Sequence, residues 1–134
     1  MVLSSSHEVP AAMRILVVDD DPVIQRLLQV NFELEGYEVL LASDGLAGLE
    51  SARREMPDCI LLDVMMPKMN GLQVASALKS SGDTAAIPIV MLSAKAQDMD
   101  IEAGEQSGAD RYVTKPFDPL ELLNVVSELV AGRS

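Results

Sequence analysis

Asp19, Asp20, Asp21 and Asp63 are the residues of this 134-residue chain whose type and setting first suggest chemistry. The three consecutive acids follow Ile15-Leu16-Val17-Val18, and Asp63 follows Cys59-Ile60-Leu61-Leu62. Each is an uninterrupted apolar run that stops at a carboxylate. Such runs, rich in branched side chains, read as strands buried on both faces, as in parallel sheets. Ligands of an open α/β sheet bind beyond the carboxyl ends of its strands. If the two strands are neighbours, three or four carboxylates gather at one point. Like charges that close need a cation or a proton, and an oxygen-only site suits a hard divalent ion such as magnesium. Ser93 follows a later apolar run, and Lys115 closes the short stretch Arg111-Tyr112-Val113-Thr114. Carboxylates, one hydroxyl and one ammonium together suit phosphoryl transfer, in which a metal bridges phosphoryl oxygens while the lysine and hydroxyl engage the others. A carboxylate can itself be the nucleophile, forming an acyl phosphate.

The elements that must position these groups follow from the pattern. Residues 1–12, MVLSSSHEVPAA, carry no periodicity and read as a flexible tail, with Met13 a natural start for the folded part. After the first strand, Asp21-Pro22 is an N-cap followed by proline at the first helical position. That gives Asp21 a structural task and leaves Asp19 and Asp20 for the site. The first helix places Val23, Leu27, Val30 and Leu34 on one face with Ile24 and Leu28 beside them, and Gly36 stops it. Val39 to Ala42 is the second strand. Ser43-Asp44 opens a second helix with Leu46 and Leu49 inward, ending before Pro57. The third strand delivers Asp63. The loop Val64-Met65-Met66-Pro67-Lys68-Met69-Asn70-Gly71 follows, then a helix marked by Leu72, Ala75 and Leu78. Ile87 to Leu92 is the fourth strand. Residues 96–107 form the weakest, mostly polar helix, Arg111 to Thr114 the fifth strand, and Asp118-Pro119 caps a last helix burying Leu122, Val125, Val126 and Leu129. Five strands alternating with five helices mean successive βα units around a parallel sheet.

Composition narrows the function classes. A formal charge of −11, with ten scattered Lys and Arg, argues against direct binding of nucleic acid or of an anionic membrane. The single cysteine, Cys59, sits inside an apolar run and reads as a small buried hydrophobe. It allows no internal disulfide and no zinc site. No stretch is apolar enough to span a bilayer, and no secretory signal opens the sequence, so a cytoplasmic protein is expected.

Taken singly, each candidate has an ordinary explanation. The first acids could end a strand and cap a helix, Asp63 could be a polar strand end, Ser93 a turn residue, Lys115 a solvated charge and Tyr112 a core aromatic. Their joint placement at one end of one sheet overturns this. Four stretches add to it: ILVVDDDP at 15–22, DCILLDVMMPKMNG at 58–71, IVMLSAK at 89–95 and GADRYVTKPF at 108–117. In order and spacing they resemble the receiver domain of bacterial two-component response regulators, over residues 13–131, leaving 132–134 as a C-terminal end.

The resemblance implies a doubly wound, flavodoxin-like α/β fold: a five-stranded parallel sheet of order 2-1-3-4-5 with five helices. It implies that Asp63 accepts a phosphoryl group from the phosphohistidine of a sensor histidine kinase or a histidine phosphotransfer protein, with Mg2+ as cofactor. Asp20 and Asp63 would hold the ion directly, Asp19 largely through a water, and Met65 through its backbone carbonyl. Ser93 would hydrogen-bond a phosphoryl oxygen, and Lys115, expected before a cis proline bond, would pair with Asp63. Ser93 stands where many members have threonine. The side chains of Met65 and Lys95 would sit beside the phosphate and tune its lifetime. Movement of Ser93, with Tyr112 filling the vacated space, would alter the face around the fourth helix, fifth strand and fifth helix. Such a domain assists its own phosphorylation and dephosphorylation and is not a conventional turnover enzyme. It would act on a downstream output domain or target protein, either as a complete single-domain regulator or as part of a longer chain. A phosphorylation-linked dimer is open.

Three rival readings fit the sequence less well. A haloacid dehalogenase-type phosphatase wants a second acid two residues after the first, where Met65 stands. A flavodoxin-like flavin carrier wants a hydroxyl- and glycine-rich loop after the first strand, where this chain has acids. A degenerate receiver serving as a phosphate-independent scaffold has no need of the full acidic, hydroxyl and lysine set.

Overall fold

The computed structural model describes residues 13–93 and 108–131. Five strands, β1 (Arg14–Val18), β2 (Glu38–Ala42), β3 (Cys59–Asp63), β4 (Ile89–Ser93) and β5 (Arg111–Thr114), form one parallel sheet in the order β2-β1-β3-β4-β5. Four helices lie among the described residues: α1 (Pro22–Leu34), α2 (Gly45–Glu55), α3 (Gly71–Lys79) and α4 (Pro119–Ala131). The expected helix at 96–107 falls outside the described residues, as do Lys95, the tail and residues 132–134.

The sheet separates two apolar layers. Leu16, Val18, Ile60, Leu62 and Met91 face α2 and α3 through Leu49, Ala52, Val74, Ala75 and Leu78. Ile15, Val17, Leu61, Val90 and Leu92 face α1 and α4 through Leu28, Phe32, Leu122 and Val126. The central strands β1, β3 and β4 are therefore covered on both sides, which explains their unbroken apolar runs. At ~25 cal/mol per Å2, each fully buried Leu or Ile contributes on the order of 1.5–3 kcal/mol.

The helices start where the sequence says they should. Asp21 accepts from the Val23 N–H at 2.9 Å, and Asp44 accepts from the Ala47 N–H at 2.8 Å. Asn70 and Gln73 close a reciprocal capping box on α3. Asp118 accepts from the Leu120 N–H at 2.9 Å before the proline-led α4.

Two helix faces differ from expectation. On α1 the inward stripe is Ile24, Leu28 and Phe32, whereas Val23 (71% exposed), Leu27, Val30 and Leu34 (78% exposed) face outward. The two stripes lie about 130° apart on the helix, and periodicity alone does not choose between apolar stripes of equal strength. Phe32, the larger side chain, takes the core. On α2, Leu49 is buried but Leu46 is 49% exposed.

The α2 C-cap is Met56, held in the left-handed region at φ 48° and ψ 61°. A side chain there pays a steric penalty that glycine avoids. Because the Met56 side chain is largely exposed, Met56→Gly is expected to stabilise the fold by about 0.5–1 kcal/mol, after allowing for glycine's looser unfolded state. Urea denaturation checks this.

Candidate functional site

Strand register brings the chemical residues together. Val18 pairs with Leu62, so the next residues, Asp19 and Asp63, leave β1 and β3 side by side. Asp63 pairs with Leu92, and Ser93 is the next residue on β4. Ser93 pairs with Thr114, the residue before Lys115 on β5. Asp19, Asp63, Ser93 and Lys115 thus come from four adjacent strands at one edge of the sheet. The carboxylates of Asp19, Asp20 and Asp63 each offer an oxygen within 4.8 Å of the others. The Lys115 Nζ donates to Asp19 Oδ2 at 2.8 Å and lies 3.5 Å from Asp63 Oδ1. Asp19 is fully buried, Asp63 and Ser93 nearly so, and Asp20 is exposed. Asp19 Oδ1 also accepts from the Asp21 N–H at 2.9 Å. The Lys115–Pro116 peptide is cis. Tyr112, half-buried on β5, packs against the α2–α3 side of the core. Met65 is 71% exposed beside the site.

This constellation is open to solvent on the Asp20 side. A concavity of about 330 Å3, lined by Met13, Tyr37 and Leu123 among others, lies instead toward the N-terminal ends of β1 and β2. A family model, the response regulator receiver domain, matches residues 15–127. The chain belongs to the response regulator receiver domains of two-component systems.

Several relatives locate this receiver further. It is 46% identical over 117 residues to the DNA-binding dual master transcriptional regulator RpaA of Synechocystis, covering 87% of this chain and 48% of that protein. It is 40% identical over 119 residues to Protein PilH of Pseudomonas aeruginosa, covering 89% of this chain and 98% of the other. The chain spans about half the length of the first regulators it matches. Among solved structures, the receiver domain of the sensor histidine kinase PA1611 from Pseudomonas aeruginosa, with magnesium coordinated in its active-site cleft, superposes with a TM-score of 0.84 at 31% identity. That match covers 90% of this chain and 99% of the other. The chemotaxis protein CheY4 of Vibrio cholerae gives 0.83 at 31% identity, covering 89% and 99%. The flavodoxin-like architecture and strand order of the receiver family are those found here. No described helix is long and apolar enough to cross a membrane.

The electrostatics of the receiver's acidic edge fit a divalent cation. Three carboxylates against one ammonium leave two negative charges, and every side-chain ligand is a hard oxygen donor. Burial, then the neighbouring Asp19 charge, push the Asp63 carboxyl from 3.8 up to about 6, against the opposing pull of Lys115 and the Met65 N–H. Burial disfavours the Lys115 ammonium. The hydrogen bond and charge of Asp19, with the charge of Asp63, outweigh it and raise the lysine above its usual value. In the metal-free receiver a proton therefore competes for Asp63 near neutrality. Magnesium affinity is expected to be flat above pH 7 and to fall by about tenfold per unit below pH 6. Calorimetric titrations at pH 5, 6 and 7.5 test this, and equal affinities at pH 5 and 7.5 would contradict it.

Sequence reasoning missed one supporting residue. Gln25, in the first turn of α1, donates to the Asp19 carbonyl at 2.5 Å and to Ser43 Oγ at 3.0 Å, tying the ends of β1 and β2 together. The signal was a polar residue beside the inward stripe, one turn past the acids.

Proposed function

We propose that this receiver takes a phosphoryl group onto Asp63 from the phosphohistidine of a sensor histidine kinase or histidine phosphotransfer protein. The observation that carries the reading is the cluster of Asp19, Asp20 and Asp63 within 4.8 Å, with the Lys115 ammonium against two of the three. An Asp63 carboxylate oxygen attacks phosphorus. The phosphorus–nitrogen bond breaks, its electron pair returns to the imidazole, and the ring nitrogen takes a proton from solvent. Later a water attacks the phosphorus, the bond to Asp63 breaks, and inorganic phosphate leaves with the carboxylate regenerated.

Asp20 and Asp63, with the Met65 carbonyl, would hold Mg2+ directly, and Asp19 would act through a bound water. The ion, when bound, supplies positive charge against the phosphoryl oxygens. Lys115 neutralises a second oxygen and Ser93 donates its hydroxyl to a third. Engagement of Ser93 moves it toward the phosphoryl group, Tyr112 turns into the space it leaves, and the surface that includes β5 and α4 changes. An output domain or separate target reads that surface. The domain assists its own phosphorylation and dephosphorylation and does not turn over an external substrate. Relatives named as DNA-binding regulators and the acidity of this chain together support an output in which nucleic acid is contacted elsewhere.

The reading is tested by incubation with magnesium and a small acyl phosphate, followed by intact mass. One added phosphate that requires magnesium supports it. No adduct, together with no magnesium binding, would count against it.

The donor must cover the rim of the acidic edge for its imidazole to reach Asp63. The exposed apolar stripe Val23, Leu27, Val30 and Leu34 begins two residues after Asp21 and is the natural contact for its helices. Leu27→Glu is expected to slow transfer from a phosphorylated partner protein by about tenfold or more. Phosphorylation by the small acyl phosphate would be unchanged, and comparing the two donors checks the assignment.

A further inference from the structure

The helix α2 supplies no residue to the acidic site, yet it touches both chain segments that carry the acids. Its seat on β1 is at Gly48, where a methyl group would lie 2.6 Å from Cγ1 of Val18, the residue before Asp19. Its N-terminal end meets the loop that leaves Asp63. A methyl group at Gly45 would lie 1.9 Å from the Met69 carbonyl oxygen and 2.7 Å from its carbon. Beside that contact the Lys68 Nζ lies 3.5 Å from Asp44 Oδ2, while Asp44 Oδ1 caps α2 through the Ala47 N–H. Lys68 itself sits in the left-handed region at φ 70°. The loop is closed at its base by the Gly71 N–H to the Val64 carbonyl at 2.9 Å, so residues 64–70 form a short arch between β3 and α3. α2 buttresses the returning limb of that arch at Met69.

We infer that the first two turns of α2 act as a spacer that fixes how far the Met65-bearing arch stands from the Asp19–Asp20 turn, making Gly45 and Gly48 positioning residues for the divalent-ion site. The inference rests on the receiver reading of that site. The physical reason is the absence of slack. Val18 is fully buried, and the Met69 partner is backbone, so neither yields as a flexible surface side chain would. A methyl group on either glycine must displace α2, the arch or the end of β1. Magnesium, which demands near-ideal octahedral geometry, tolerates small changes in oxygen placement poorly. The Asp44–Lys68 pair, exposed on its Lys68 side, adds direction more than energy.

Magnesium affinity of the intact chain, measured by calorimetry alongside the circular dichroism spectrum, tests this with four variants. Gly45→Ala and Gly48→Ala are expected to keep the fold and lose about tenfold or more in affinity, the scale of losing a support behind a metal ligand. Gly82→Ala, where a methyl group would meet nothing within 4 Å, should match wild type. Pairing Gly48→Ala with Val18→Ala removes the clashing methyls and should recover most of the lost affinity; an affinity loss that follows urea stability across the folded variants would overturn the positioning role. If both single variants are folded and bind magnesium as wild type does, the inference is wrong. If Gly45→Ala fails to fold, the Gly48→Ala variant and its rescue decide. Failure of wild type itself to bind magnesium would overturn the receiver reading of the site, a separate outcome.

Discussion

Lys115→Met is expected to destabilise the metal-free protein by about 3–5 kcal/mol, the usual consequence of removing one partner from a buried ion pair. Asp19 is fully buried, and its Oδ2 receives the Lys115 ammonium at 2.8 Å. Methionine has similar length and fills the space, so the loss is electrostatic, with no cavity to confuse it. Asp19 then keeps the Asp21 N–H as a hydrogen-bond donor but faces Asp20 and Asp63 without a counter-charge. The same change leaves three uncompensated carboxylates for an added cation. Millimolar magnesium should therefore raise the melting temperature of the variant by more than it raises that of wild type. Thermal unfolding of both proteins, with magnesium and with a chelator, checks both signs. A variant as stable as wild type in chelator would mean that Asp19 is not held by Lys115.

Asp63→Asn is expected to act in the opposite direction on stability while abolishing phosphoryl acceptance. The folded protein holds the Asp63 carboxyl up at about 6, against 3.8 when free, because burial and Asp19 disfavour its charge. The folded state therefore binds the proton more tightly than the unfolded state. Between pH 4 and 6 this group makes wild type less stable as pH rises, and the full penalty remains at pH 7.5. Roughly two units at 1.36 kcal/mol each set an upper figure of about 3 kcal/mol. Asparagine keeps an oxygen for the Met65 N–H but carries no charge. In chelator at pH 7.5 the variant should be more stable by about 1–3 kcal/mol, and the difference should shrink toward pH 4. Urea denaturation across that range reads it. With magnesium the order can reverse, because wild type alone keeps the third carboxylate for the ion.

The order of elements, the caps at Asp21, Asp44 and Asp118, and the chemical edge at Asp19, Asp63, Ser93 and Lys115 were legible in the sequence. Most rest on a local signal, either an apolar run ended by a polar residue or an acid placed before proline or glycine, and Lys115 rests on the short strand Arg111 to Thr114 that it closes. The orientation of α1 was not legible. Val23, Leu27, Val30 and Leu34 form as regular a stripe as Ile24, Leu28 and Phe32, and only tertiary packing decides which stripe the sheet covers. Leu46 misled for the same reason: one apolar residue in a first turn does not define a face. The dual role of Lys115, bonded more closely to Asp19 than to Asp63, depends on distances across three strands. So do the close approaches of Gly45 and Gly48, since no neighbour in sequence announces them.

Locating the phosphate tests the central claim most directly. The receiver, charged with a small acyl phosphate in magnesium, is reduced with borohydride, which converts an aspartyl phosphate to homoserine, and is then digested with trypsin. Cleavage after Arg54 and Lys68 isolates a peptide holding two aspartates, Asp58 and Asp63. Asp58 is an internal control, its Oδ2 committed to the Arg14 N–H at 2.8 Å near the other end of the sheet. Fragment spectra should place homoserine at position 63 and leave Asp58 intact. Homoserine at 58, or in a peptide carrying Asp19 and Asp20, would contradict the assignment of Asp63 as the phosphoacceptor.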